Sequence, residues 1–177
     1  MEKTINDEFM QHVVAEQAWK KLSKDFAWTE TLLAKYSGNV DWKLISGNSN
    51  INWSLMMLEK FFYMLDWKEL SRRVDSDWFT EAHLEAFKNK WDWTVLVHKY
   101  KFSERLIDKY IDYVDWDEII GGGRSNYSLV CNDDKFDAIA FYEKYKKHIP
   151  MSKFQDSALW QRIVEQKCRQ LKEEIMS

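Results

Sequence analysis

The sequence is poor in the residues that break helices. Its 177 residues include one proline, Pro150, and five glycines, of which three are consecutive at positions 121–123. Long stretches are therefore free of helix breakers. Hydrophobic residues make up 45% of the chain and aromatic residues 16%, which is enough material for a core. The composition argues against disorder and predicts an all-α fold.

Cysteine, net charge and long apolar runs are scarce as well. The two cysteines, Cys131 and Cys168, are too few for a disulfide framework, so we expect free thiols in a reducing compartment. The formal net charge of -3 argues against a protein that mainly neutralises the phosphates of a duplex. No stretch approaches the roughly 18 apolar residues of a spanning helix, and the N-terminus has no apolar signal core. We expect a cytoplasmic protein without a membrane segment.

The most informative feature that is present is an 18-position template, which occurs four times. Each copy has an aromatic residue, Ser or Thr, a second aromatic residue, Asp-Trp, and Leu or Ile at the end. The copies start at Trp28, Trp53, Phe79 and Phe102, which are 25, 26 and 23 residues apart. A fixed period of this size is typical of units that bury their apolar faces only against their neighbours.

One copy predicts a capped helix followed by a shorter helix. In the second copy Ser54 is placed to be an N-cap, and Trp53 precedes it in position to pack on Leu58 as a hydrophobic staple. We expect the first helix to run for about ten to twelve residues. The Asp-Trp pair then restarts the chain, because Asp is a good N-cap for the short helix. The same staple recurs as Trp28 with Leu33, Phe79 with Leu84 and Phe102 with Ile107.

The template also predicts the organisation of the whole chain. We expect a single domain over residues 1–177, built as an α-solenoid-like stack of short helical hairpins and closed by irregular terminal helices. Its parts are an N-terminal cap (1–27), four repeats (28–120), an inserted loop (121–134), and a degenerate repeat with a C-terminal helix (135–177). The C-terminal helix is expected from about Ser152 or Lys153 to Glu174.

The repeat resembles a class of uncharacterised tandem-repeat proteins of bacteria, phages and large viruses. Their units read approximately Trp-Ser, a helix ending Glu-Lys-Tyr, and then Asp-Trp-x-x-Leu-Ser. In the second copy the matching residues are Trp53-Ser54, Glu59-Lys60-Phe61 and Asp66-Trp67-Lys68-Glu69-Leu70-Ser71. The resemblance covers about residues 28–120 and implies a helical repeat, with no established activity. Copies three and four depart from it, since Val97 and Ile120 stand where Ser46 and Ser71 stand, and their loop geometry is expected to differ.

Three aromatic side chains are candidate binding residues because they break the pattern. Trp78 and Trp91 lie outside the template, which makes them candidates for an exposed contact, although packing is the commoner role of a large aromatic residue. His83 occupies a position that is apolar in the other copies. A partly buried, hydrogen-bonded histidine is the ordinary interpretation of such a position, and a binding role is the alternative.

The glycine run is the other candidate site. Gly121, Gly122 and Gly123 could hold a phosphate through their backbone N–H groups, with Arg124 supplying positive charge. The run lacks the spacing of a known phosphate loop, so a flexible insert is favoured. The repeated aspartates are better explained as N-caps than as catalytic pairs, and the four histidines lack metal spacing. We therefore expect no cofactor, no metal and no catalytic residue.

These observations favour a non-catalytic module that binds another protein. By analogy with the class that the chain resembles, it is expected to be a phage or mobile-element factor that inhibits a host protein complex. The alternative is a nucleic-acid or nucleotide binder that uses the 121–124 loop with a basic C-terminal segment, comprising Lys144, Lys146, Lys147, Lys153 and Arg162. A third possibility, an enzyme that uses the same loop, requires a concave site with converging polar groups.

Overall fold

The computed structural model describes residues 8–74, 77–99, 102–121 and 136–177. These residues form twelve α-helices and no strand, which confirms the predicted all-α fold of short helical hairpins. The helices are α1 (Glu8–Asp25), α2 (Glu30–Lys35), α3 (Trp42–Gly47), α4 (Leu55–Lys60), α5 (Trp67–Ser71), α6 (Glu81–Ala86), α7 (Trp93–Lys99), α8 (Glu104–Lys109), α9 (Trp116–Ile119), α10 (Ala138–Tyr145), α11 (Met151–Phe154) and α12 (Ala158–Met176).

The chain forms two compact units, the first ending at Asp92 and the second beginning at Trp93. The boundary falls inside the third copy, between its two helices. In the first unit α1 packs on α3 and α3 on α5, while in the second unit α7 packs on α9 and α10 on α12. Each unit has fully buried aliphatic side chains of its own, such as Leu58 in the first and Ile107 in the second. That the whole chain is one domain stays a prediction.

The first helix of each copy begins where the template predicts. Thr29, Ser54, Thr80 and Ser103 are the four N-cap residues, and all eight staple residues are buried. The predicted length of these helices is wrong, because each has six residues. The second helix is shorter only in the second and fourth copies, with five and four residues, whereas α3 has six and α7 has seven. Each first helix ends at the second aromatic residue of the template, which becomes the C-cap. Turns then carry the chain to the Asp-Trp pair.

The aspartates cap the short helices, as the sequence predicts. The Asp41 carboxylate accepts hydrogen bonds from the backbone N–H groups of Lys43 and Leu44, at 3.0 and 3.1 Å. Asp66 accepts from Glu69 at 3.0 Å in the next copy. These bonds satisfy first-turn N–H groups that have no partner inside the helix.

Buried serines connect successive copies in the first unit. Ser23, Ser46 and Ser71 are fully buried. Each hydroxyl group donates to the carbonyl oxygen of the tryptophan four residues earlier, at 2.7 Å. Each also accepts, at 2.9 Å, from the backbone N–H of the aspartate that directly precedes the second helix of the following copy. We call these contacts the serine bridges; they join Ser23 to Asp41, Ser46 to Asp66 and Ser71 to Asp92.

The second unit places aliphatic side chains at the position of the bridging serine. Val97 and Ile120 occupy it, and both are buried. Neither side chain has a hydroxyl group, so neither can hold the next N-cap by a hydrogen bond. The template departure therefore marks a change in how neighbouring copies are joined.

Aromatic pairs connect successive copies in both units. The tryptophans of the four template Asp-Trp pairs, and Trp19 at the matching place in α1, pack on the second aromatic residue of the next copy, with ring centroids 5.0–5.6 Å apart and interplanar angles of 38–45°. Offset and tilted ring pairs of this kind stabilise beyond their buried area. The five pairs are Trp19–Tyr36, Trp42–Phe61, Trp67–Phe87, Trp93–Tyr110 and Trp116–Tyr145. Their regularity confirms the predicted stacking of neighbouring copies.

The degenerate repeat folds as a fifth copy. Asp137 caps α10 by accepting from the Ala140 N–H at 3.0 Å, and Pro150 takes the place of the aspartate before α11. The predicted C-terminal helix is wrong at its start, because residues 151–154 form the short helix of this copy. The final helix begins after Ser157, whose hydroxyl group accepts from the Trp160 N–H at 3.2 Å.

We expect Ser46→Ala to lower the free energy of unfolding by about 1–3 kcal/mol. The Asp66 N–H loses its hydrogen-bond acceptor in this variant, at a position that is shielded from water. Urea denaturation measures this change. Thr31→Ala, which alters an exposed hydroxyl group on α2, serves as the control and is expected to stay within about 0.5 kcal/mol of the original chain. Equal changes for both variants would show that the bridge does not stabilise the fold.

Candidate functional site

Trp78, His83 and Trp91 lie together in the core of the first unit. Their exposed fractions are 8%, 8% and 4%. Trp78 meets Phe79 and His83 edge-on, with ring centroids 5.5 and 5.6 Å apart, and Phe79 meets Trp91 edge-on at 5.1 Å. We call these four residues the aromatic cluster. Trp78 and Trp91 lie outside the template and are buried, so the structure does not show the exposed contact suggested for them, and a binding role for Trp78, His83 and Trp91 stays a prediction.

His83 is fixed by the start of α6. Its Nδ1 atom accepts from the backbone N–H of Thr80 at 3.3 Å and lies 2.8 Å from the Thr80 hydroxyl oxygen. This is the part that Glu or Gln usually plays at the third position of a helix. The His83 carbonyl oxygen in turn accepts from the indole N–H of Trp91 at 3.1 Å. His83 is thus the hydrogen-bonded core histidine that the sequence suggested as the ordinary interpretation.

The electrostatics of the cluster favour a neutral histidine. Burial lowers the pKa of His83 below its usual value, because the charged imidazole loses its water, and the nearby Trp53 backbone opposes this shift in part. Since Nδ1 accepts, the neutral ring carries its proton on Nε2. The indole nitrogens of Trp53 and Trp78 are buried without a hydrogen-bond partner among the described residues. A buried donor without an acceptor costs free energy.

Gly121 ends a helix instead of opening a phosphate site. It follows α9, it is buried, and its φ of 72° lies in the left-handed region that favours glycine. Its N–H donates to the Glu118 carbonyl oxygen at 3.1 Å, so it is already used. The carbonyl oxygens of Ile120 and Gly121 accept from the first N–H groups of α12. Gly122, Gly123 and Arg124 lie outside the described residues, as does Cys131, and their binding role stays a prediction.

The basic C-terminal segment is largely neutralised by carboxylates. Lys144 binds Glu104 at 3.2 Å and Asp108 at 2.9 Å. Lys146 binds Glu143 at 2.6 Å, and Lys153 binds Asp117. Lysines with acidic partners of this kind attract phosphates less strongly than free ones.

The first helix carries an exposed apolar side that the sequence did not reveal. Met10, Val14 and Leu22 are between 42% and 45% exposed. We call these three residues the α1 apolar side. Val14 precedes the buried Ser23 by nine residues, which is two and a half helical turns, so it points away from the packed face. The alignment of Ser23 with Ser46 and Ser71 was the signal that could have predicted this orientation.

A groove of about 400 Å³ runs beside the packed face of α1. Its lining includes His12, Glu16, Trp19 and Lys20 from the helix and Asp41 from the first copy. Glu16 and Lys20 form an ion pair of 2.7 Å at this groove, and both are about half exposed. Within the ranges that the structure describes, no group of three or more His, Cys, Asp or Glu side chains could hold a metal ion. The groove therefore offers polar contacts without a metal-binding set.

Among the described residues, no helix combines the length and the apolar character that a membrane crossing requires. Comparison with known proteins gives no relative: no family model matches the chain, and no match is found among the curated proteins or the solved structures. The candidate site therefore depends on the geometry alone.

We expect His83→Leu, which restores the residue type of copies one and four, to remove a pH dependence of stability. Because the folded state lowers the pKa of His83, the unfolded chain binds a proton below its own pKa of about 6.5 that the folded chain does not bind. This contribution is present above that pH and is lost as the pH falls. Between pH 7 and pH 5 the original chain should lose stability relative to the variant in urea denaturation.

The control for this measurement is His12→Gln, which changes an exposed histidine on α1. It should keep the pH dependence of the original chain. If His83→Leu shows the same loss of stability between pH 7 and pH 5 as the original chain, burial of His83 does not govern that loss.

Proposed function

We propose that this protein is a non-catalytic helical-repeat module that binds another protein. The observation that carries the proposal is the α1 apolar side, where Val14 is 45% exposed opposite the packed face of the first helix. Singly exposed apolar residues are ordinary, but several on one helix mark a surface for a partner. Burying such side chains in an interface contributes roughly 25 cal/mol per Å² of apolar area.

The spacing of these side chains indicates how the partner binds. Met10, Val14, Ala18 and Leu22 follow one another at intervals of four residues along α1. Anchors at this spacing are typical of a helix that lies in an apolar groove of its partner. Met10 adds an unbranched side chain that adapts to an irregular surface. The partner we propose is therefore a protein with an apolar groove.

The C-terminal end of α1 is fixed in the fold, which prepares the helix for binding. Ser23 holds Asp41 through the first serine bridge. Asn48, which is 1% exposed, donates from its side chain to the carbonyl oxygens of Ser23 and Phe26, both at 2.8 Å. A helix that is ordered before binding loses less conformational entropy on binding.

Two finer statements belong to this proposal. By analogy with the tandem-repeat proteins that the chain resembles, we extend it to a phage or mobile-element factor that inhibits a host protein complex. The alternative, a nucleic-acid or nucleotide binder, has less support, because Lys144, Lys146 and Lys153 are paired with carboxylates.

Affinity capture from cells of the native host, with mass spectrometry of bound protein and nucleic acid, tests the proposal. We expect a protein partner, and we expect Val14→Glu to reduce its recovery about tenfold or more, because the interface would bury an unpaired charge. Val14 is 45% exposed, so the fold should survive, which circular dichroism can verify.

Ala34→Glu is the matched control, since it also adds one negative charge to an exposed position, on α2. It should leave the captured protein unchanged. Recovery of nucleic acid alone, with binding that weakens as salt rises, would support the alternative and contradict this proposal.

A further inference from the structure

The C-terminal helix α12 is anchored by one face only. On that face Leu159 is fully buried, and the Gln166 side chain accepts from the backbone N–H groups of Ala138 and Ile139 at 3.0 and 3.3 Å. Gln166 also donates to the Asp137 carboxylate at 2.8 Å. These contacts cap the start of α10 and fix the orientation of α12.

The opposite face of α12 is apolar and exposed. Val164, Leu171 and Ile175 are 44%, 43% and 83% exposed, and Cys168 is an exposed free thiol. We call these four residues the outer stripe. Cys168 follows Leu159 by nine residues, or two and a half turns, which places the stripe opposite the anchored face.

The spacing of the outer stripe is that of a coiled-coil seam. Its members are four, three and four residues apart, which is the alternation of the a and d positions in a heptad. Every residue from Lys167 to Ser177 is exposed. A helical segment this short is marginal in water without packing, so a second helix against the stripe would stabilise it.

Charged residues flank the stripe in a self-complementary order. Lys167 and Glu174 lie along one side of it, and Glu165 and Lys172 lie along the other. Each flank thus carries one positive and one negative charge. In coiled coils, residues at these positions select the partner and its orientation.

We propose that the outer stripe pairs with the outer stripe of a second copy of this chain, in antiparallel orientation. A two-fold axis between positions 169 and 170 sets Cys168 opposite Leu171 of the second copy, and Val164 opposite Ile175. Each flank then faces the same flank of the second copy. Lys167 of one chain lies beside Glu174 of the other, and Glu165 lies beside Lys172 of the other. Every apolar residue has an apolar partner and every flanking charge an opposite one, as a two-fold interface requires.

Parallel pairing is disfavoured by the same residues. In a parallel pair, one flank of a helix faces the other flank of its partner. Lys167 would then lie beside Lys172 of the second copy, and this repulsion would occur twice. The order of charges on α12 therefore selects the antiparallel dimer over the parallel one.

The dimer is expected to be weak, because four apolar residues per chain cover less than the roughly 1,200 Å² of a stable interface. The inference goes beyond the proposed function. The stripe lies on α12 in the second unit, whereas the surface proposed for another protein lies on α1 in the first. Variants of one surface leave the other intact, so the two proposals fail independently.

Sedimentation equilibrium of the full chain, up to about 1 mM, tests the pairing. We expect Lys167→Glu to weaken the dimer roughly tenfold, because two attractions become two repulsions. Arg169→Glu makes the same charge change outside the stripe and its flanks, and it should leave the dimer unchanged. Ile175→Gln, at a position 83% exposed, should abolish the dimer without affecting the fold.

Three results would overturn the proposal. The first is a tighter dimer with Lys167→Glu, which parallel pairing would produce. The second is a weakening by Arg169→Glu equal to that by Lys167→Glu, and the third is a chain that stays monomeric at about 1 mM.

A cross-linking measurement gives a second readout. In a Cys131→Ser background, mild oxidation of the chain carrying Cys168 mixed with Cys168→Ser/Leu171→Cys should give mainly the mixed disulfide. Predominance of the two unmixed disulfides would contradict antiparallel pairing.

Discussion

The hydroxyl group of a fully buried serine joins one copy to the next, and the first unit depends on this contact. A serine bridge uses both abilities of a hydroxyl group at once, since it donates to the helix that carries it and accepts from the cap of the following helix. The aspartate held in this way is itself the N-cap, so one serine positions the start of the next short helix. The tryptophan beside that aspartate is then placed for its ring contact.

Local signals predicted the helix starts, because a cap and a staple involve residues only a few positions apart. The lengths of the first helices of the copies were not predictable from the same signals. Each of these helices ends at the aromatic residue whose ring packs on a tryptophan of the preceding copy. The fifth copy was hard to recognise because Asp137 replaces Ser or Thr and Pro150 replaces Asp. Trp78 and Trp91 fall outside the template although they are buried, since the core also uses positions that the copies do not share.

The packing of the terminal helices on the repeats decides which of their apolar residues are exposed. In α1 the packed face is taken by Trp19 and Ser23, which leaves Met10 and Val14 exposed. In α12 the packed face is taken by Leu159 and Gln166, which leaves Leu171 and Ile175 exposed. On both terminal helices, these exposed residues thus lie on the side away from the packed face. Sequence periodicity alone cannot separate two apolar faces of one helix, because the packing partners decide which face is covered.

The second unit, with Val97 and Ile120, joins its copies differently from the first. A hydrogen bond fixes the direction as well as the distance between two copies, so each serine bridge resists a change of angle. The second unit joins its copies by other polar contacts, since the Thr94 hydroxyl group donates to the Asp115 carboxylate at 2.8 Å and Lys144 binds Asp108 at 2.9 Å. These side chains are exposed to water, whereas each bridging serine of the first unit is shielded from it.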